Sequence, residues 1–202
     1  MSGIKDLRDF LAVLKDNKLL FETERAVDWK YEIGSLLATL EAEGQRTGLF
    51  HNIKDKEFSV CGNVLASMDG IALALGCRKD EMTDFLADCL EHPVKPQVVA
   101  DAPCHENIRM GDKIDLERIP VPVHAPKDGG PIITGGVIVS KEIDGTRQNL
   151  SFQRMHVKGK DKFSIMINEW RHLKDFYDQA ESQGRALPIA VVIGADPVIY
   201  VG

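Results

Sequence analysis

Asn149-Leu150-Ser151-Phe152-Gln153-Arg154, with His172 eighteen positions after the arginine, gathers an amide, a hydroxyl, a guanidinium and an imidazole in one stretch of chain. The stretch follows a glycine- and proline-rich segment, residues 119–136, and a turn at Asp144-Gly145. Polar groups of this kind make poor core, because a buried amide or guanidinium must find a partner. They suit a site for a phosphorylated, metal-linked cofactor beside an acidic substrate. Each also has a plainer reading. A strand arginine such as Arg154 commonly forms a surface ion pair. His172, in Trp170-Arg171-His172-Leu173, opens a helical pattern and by itself reads as a solvated helix residue. His156 is placed on the same strand face as Arg154 and given a structural role, and His124 is read as a loop histidine. Asp128-Gly129-Gly130 lacks the spacing of a phosphate-cradling loop, so its glycines read as turn formers.

The elements that must position these groups follow from periodicity. Residues 4–17 carry Ile4, Leu7, Phe10, Leu11 and Leu14 on one helical face. An extended run is expected at 19–23. Asp28 is expected to cap a second helix bearing Ile33, Leu36, Leu37 and Leu40, with Gly44 as its stop. Strands at 48–53 and 58–61 flank a turn at 54–56. Two more helices, 67–76 and 79–91, precede Pro93. Pro93, Pro96 and Pro103 mark a connector, and beyond it the pattern turns to β at 132–142, 149–157, 163–167 and 190–193. One helix, 171–183, interrupts these strands and ends at Gly184. The expected class is α+β, with an α/β domain over 1–105 and a β-rich domain over 106–202.

Composition narrows the function classes. The 202 residues carry 25 Lys and Arg against 31 Asp and Glu, a formal charge of −6, with no basic tract. A nucleic-acid partner is therefore not expected. No apolar run reaches the roughly 20 residues of a membrane span, and the first residues lack a signal-peptide pattern. No membrane partner is expected, and the cytoplasm is the expected compartment. The four cysteines, Cys61, Cys77, Cys89 and Cys104, show no CxxC spacing and read as reduced and structural.

Four ordered motifs carry a family resemblance: residues 115–120 (DLERIP), 127–134 (KDGGPIIT), 149–154 (NLSFQR) and 187–197 (LPIAVVIGADP). Together they resemble the UbiD family of decarboxylases, which use prenylated flavin mononucleotide. The resemblance spans nearly the whole chain. It implies that residues 106–202 are the first part of an FMN-binding split β-barrel. It implies that Asn149 and His172 bind a divalent metal, usually manganese, that grips the flavin phosphate, with K+ as an optional further ion. It places Arg154 beside the flavin, where its guanidinium engages the substrate carboxylate through two parallel hydrogen bonds. Ser151 and Phe152 then contact the cofactor, and Arg171 adds positive charge near the phosphate. The implied substrate is an aromatic or α,β-unsaturated carboxylic acid.

The resemblance also implies residues that this sequence does not supply. Family members are more than twice as long, and their third metal-binding carboxylate and proton-donating glutamates lie downstream of residue 202. Glu142 and Glu169 are the nearest acids, and neither matches that context. The expectation is an N-terminal fragment, inactive alone and homo-oligomeric at full length. The competing expectation is a non-catalytic accessory or scaffolding subunit, and a third is a plain flavin-binding barrel with oxidoreductase chemistry.

Overall fold

The computed structural model describes residues 4–44 and 46–201. Helix α1, Leu7–Asp16, starts where the Asp6 carboxylate accepts the backbone N–H groups of Arg8 and Asp9. These would otherwise lack partners at a helix start. Phe10 and Leu14 on its inner face are buried. Strand β1, Leu20–Thr23, runs parallel to β2, Thr47–Phe50, and β2 pairs antiparallel with β3, Val60–Gly62. The parallel pair needs a crossover, and helix α2, Glu32–Ala42, provides it. The face of α2 packs Ile33 and Leu40 against Val27, Phe50 and Ile53. Leu37 lies so close to Gly62 that no β-carbon would fit there. Helix α3, Met68–Leu75, is capped by the Ser67 hydroxyl and closed by left-handed Gly76. Helix α4, Met82–Glu91, follows a short 3-10 turn over Lys79–Glu81.

Asp28 does not cap α2 as expected. Its carboxylate accepts the N–H of Lys30, and Tyr31 occupies the capping position with φ 69°. The reason lies outside the helix. Trp29 accepts the Val123 N–H and Val123 accepts the Tyr31 N–H, so the chain is tied to the second region before α2 can begin.

Residues 92–118 form a long exposed connector punctuated by 3-10 turns at Pro103–His105, Gly111–Lys113 and Leu116–Arg118. Beyond it lie two antiparallel sheets. One has the order β4-β7-β8, from Ile132–Ile133, Met155–Val157 and Phe163–Ile165. The other has the order β6-β5-β9, from Gln148–Phe152, Gly136–Lys141 and Ile189–Ile193. Ile138, Met155, Val157 and Leu173 bury themselves between the sheets, with Leu173 contributed by helix α5, His172–Ser182. Gly184, with φ 65°, follows the end of α5 as expected.

Two long strands of the sequence reading are each divided. The 132–142 run breaks into β4 and β5 around Thr134-Gly135, and the 149–157 run breaks into β6 and β7 at Gln153-Arg154. In both cases the chain leaves one sheet and enters the other. Arg154 therefore lies in a crossover and shares no strand face with His156. The strands expected at 48–53 and 58–61 are shorter than forecast. Residues 51–53 leave the sheet so that Ile53 can bridge to Val27. The chain's last described turn, Pro197–Tyr200, packs back across β6: the Tyr200 ring stacks on Phe152 at 5.4 Å and its hydroxyl donates to the Gly135 carbonyl at 2.9 Å. The mixed α and β content follows the expected α+β class. No helix among the described residues is long and apolar enough to cross a membrane.

Candidate cofactor and metal site

Strand register decides which side chains share a face. Ser140 of β5 lies opposite Asn149 of β6 and Ile189 of β9; Ile138 lies opposite Ser151 and Val191. Because strand side chains alternate, Asn149 and Ser151 point the same way as Ile138, Ile189 and Val191, toward the second sheet and α5. That face is otherwise apolar. Within it, the hydroxyl oxygens of Ser140 and Ser151 are buried and find no hydrogen-bond partner. An unpaired buried hydroxyl costs on the order of 1–3 kcal/mol, so this patch of polar groups awaits something that can bond to it.

Asn149 and His172 meet at this patch. The Asn149 Oδ1 is 3.2 Å from His172 Nδ1, across 23 residues of sequence. The amide comes from β6 and the imidazole from the first position of α5. Adjacent ligands on an octahedral ion with bonds of roughly 2.1–2.3 Å lie roughly 3.0–3.2 Å apart. The contact is a hydrogen bond between the amide oxygen and the imidazole nitrogen, and the same separation and donor types would also suit adjacent ligands of a divalent ion such as Mn2+. The described residues contain no cluster of three or more His, Cys, Asp or Glu placed to hold a metal.

The beginning of α5 has electrostatics that suit an anionic ligand. Arg171 sits at its capping position and makes no side-chain cap, leaving the first N–H groups of an eleven-residue helix open. Open amides and the helix dipole favour an anion there. Arg171 is exposed, as is Arg154, and neither joins an ion pair among the described residues. The plainer reading of Arg154 as one half of a surface ion pair thus finds no partner here. The Phe152 side chain turns to the opposite face of β6 from Asn149 and Ser151, where it is engaged by Tyr200. From that position its backbone alone is directed along the strand shared with the polar pair.

Two features go beyond the residues singled out as site candidates. Trp170, immediately before the open helix end, adopts φ 65° and is 96% exposed. A left-handed conformation is unusual for any residue but glycine, and such outliers gather at functional sites. The second is Glu142, buried at the end of β5, where it accepts hydrogen bonds from Arg147, Thr146 and Gln179. The Arg147 guanidinium is the main cause that holds its carboxyl down at about 2. A carboxyl held this low is poorly suited to donate a proton. No spacing signalled it, because a glutamate at a strand end ordinarily faces water.

Residues 11–90 match the family model described as the 3-octaprenyl-4-hydroxybenzoate carboxy-lyase N-terminal domain, and residues 97–202 match the Rift-related domain of the same carboxy-lyase. Over 191 residues the chain is 32% identical to an anhydromevalonate phosphate decarboxylase of Methanothermobacter thermautotrophicus, a match covering 95% of this chain and 43% of that protein. Among solved structures, it is similar to the UbiD-class enzyme HmfF from Pelotomaculum thermopropionicum in complex with FMN. The TM-score is 0.89 at 32% identity, over 96% of this chain and 43% of that one. An evolved dimeric form of HmfF in complex with prFMN gives 0.88 at 33% identity, over 95% and 45%. The 3,4-dihydroxybenzoic acid decarboxylase AroY of Klebsiella pneumoniae gives 0.91 at 30% identity, over 98% and 44%. The chain thus spans less than half the length of these relatives. Two family models matched in order across most of the sequence place this chain in the UbiD family of carboxy-lyases.

Proposed function

We propose that this chain is the N-terminal part of a non-oxidative, reversible decarboxylase that acts on aromatic or α,β-unsaturated carboxylic acids with prenylated FMN and Mn2+. The observation that carries the proposal is the meeting of Asn149 and His172 at 3.2 Å beside two unpartnered serine hydroxyls. The FMN and prFMN complexes of HmfF support the choice of cofactor. In this reading Asn149 and His172 ligate the ion, and the ion and the N-terminal amides of α5 hold the flavin phosphate. Arg171 adds charge complementarity. Ser151 hydrogen-bonds the cofactor through its hydroxyl, and Phe152 contacts it mainly through its backbone.

Arg154 receives the substrate carboxylate, since a guanidinium offers two parallel donors and keeps its charge. When bound, the prenylated flavin supplies the electron sink for the carbanion left as carbon dioxide departs. The chain's own residues bind, orient and balance charge. The proton that replaces carbon dioxide needs a carboxyl with a raised pKa, and Glu142 has the opposite shift. The family resemblance assigns the donor to glutamates downstream of residue 202, and residues 1–202 alone are expected to be inactive. The same reading makes the complete enzyme a cytoplasmic homo-oligomer, with K+ as an optional second ion, and divides this part of it near residue 105.

The test is metal and flavin content of the protein expressed from its natural reading frame, with and without His172→Ala. Manganese and flavin absorbance are expected to fall together in the variant. Unchanged manganese stoichiometry would reduce His172 to an ordinary helix residue and overturn the proposal.

A further inference from the structure

The Asn149–His172 pair joins two elements, the β5–β6 hairpin and α5, that must hold a fixed rotation and slide for the two donor atoms to converge. Apolar packing of Leu173, Phe176 and Ala180 binds α5 to the sheets. Such contacts tolerate small rotations, because hydrophobic burial is non-directional. Directional contacts between these same two elements occur at a second place. Gln179 follows His172 by seven residues, about two turns at roughly 3.6 residues per turn, so both lie on one face of α5. At the hairpin, Glu142 lies two residues past Ser140, the cross-strand partner of Asn149. The Gln179 Nε2 donates to Glu142 Oε1 at 3.3 Å.

Glu142 also closes the hairpin. Its Oε1 accepts from Arg147, its Oε2 accepts from the Thr146 hydroxyl at 2.8 Å, and its backbone N–H donates to the Arg147 carbonyl at 3.0 Å. The Arg147 guanidinium in turn lies 5.4 Å from the centre of the Phe176 ring on α5. A buried carboxylate is expensive to desolvate, and a fully bonded one specifies a single arrangement of the parts around it.

We infer that Glu142 is a positioning residue for the metal site: it anchors α5 to the β5–β6 hairpin two turns from His172 and thereby fixes the Asn149–His172 approach. The metal consequence rests on reading that pair as ligands; the anchoring itself rests on the contacts alone.

The experiment uses the protein from its natural reading frame and two readouts. One is Mn2+ affinity, from loss of the free-ion EPR signal on titration. The other is the set of His172 ring NMR signals in metal-free protein. Glu142→Ala is expected to weaken Mn2+ binding about tenfold or more, the usual cost of removing a group that orients a metal ligand, and to shift the His172 ring signals. Glu142→Gln, whose amide oxygen can still accept from Arg147 and Gln179 while its NH2 can donate to the Thr146 hydroxyl, is expected to recover most of the affinity. Wild-type Mn2+ affinity and unmoved ring signals in Glu142→Ala, even with a lower melting temperature, would overturn the inference. Should the wild type bind no Mn2+, the ligand reading fails, and the ring signals alone then decide the anchor. Should Glu142→Ala not fold, Gln179→Ala removes only the helix side of the contact. It is expected to move both readouts in the same direction, and no movement would overturn the inference.

Discussion

Thr47 and Ser151 each carry a hydroxyl into the interior, one in each half of the chain, and their surroundings differ. The Thr47 hydroxyl donates to the Asn63 carbonyl at 3.1 Å, in a region whose strands are covered by α2. The Ser151 hydroxyl, like that of Ser140, finds no partner. Around Thr47 the sheet follows the usual rule, with apolar Phe50 buried. Around Ser151 the polarity is reversed: Asn149 and Ser151 face inward, while Leu150 and Phe152 on the alternate face are about half exposed. The first region satisfies itself. The second keeps two buried hydroxyls without a partner among the described residues, and this contrast is what singles the patch out as a candidate site.

That contrast can be broken by substitution, and the largest effect is expected at Arg154. In the complete enzyme Arg154→Ala should leave flavin bound and remove detectable decarboxylation; normal turnover would end the role assigned to it. Phe10, fully buried in the first region, should behave in the opposite way. Phe10→Ala should destabilise by about 3–5 kcal/mol through cavity formation, with no change in Mn2+ affinity of the folded protein. Equilibrium unfolding and metal titration on the same samples would check both. Smaller effects should separate the two hydroxyls. Thr47→Val should cost about 1 kcal/mol by removing the hydroxyl's hydrogen bond to the Asn63 carbonyl, which keeps its bond from the Ala66 N–H. Ser151→Ala should leave cofactor-free stability unchanged or slightly higher while weakening flavin retention. Equal losses of stability at both positions would remove the contrast.

A further test concerns acid stability. The Arg147 guanidinium holds the Glu142 carboxyl at about 2, below the ordinary 4.5, so its ionised form favours the folded state. Its contribution is present above about 4.5 and is lost as pH falls through 2. The stability difference between wild type and Glu142→Gln should therefore be flat above that range and shrink below it. A difference that stays constant down to pH 2 would show that the charge of Glu142 is not what matters.

Much of this architecture could be read from residue order. Ser67 and Gly76 bracket α3 as a serine cap and a left-handed glycine should. The apolar face of α1 is buried as its period requires, although Asp6 delays its start by one turn. Less legible were features that depend on distant partners. Gln153-Arg154 contains no turn residue, so nothing local showed that the chain changes sheets there. Asp28 looked like a helix cap, and only the ties between Trp29, Tyr31 and Val123 explain why α2 starts later. At the site, the approach of Asn149 to His172 came from family resemblance, since 22 intervening residues hide it from any local pattern. The burial of Glu142 was not legible, because it depends on Gln179 arriving from another element.

The sequence has two tryptophans, and their settings make one of them a built-in optical reporter. Trp29 has the ammonium groups of Lys30 and Lys56 at 5.0 and 4.8 Å from its ring centre. Trp170 stands in open solvent at the threshold of α5. With Trp29 replaced by phenylalanine, the remaining emission would come from a single indole next to the proposed phosphate end of the site. Its intensity and colour would then follow the arrival of a flavin, an ion or a closing segment in real time, without any added label.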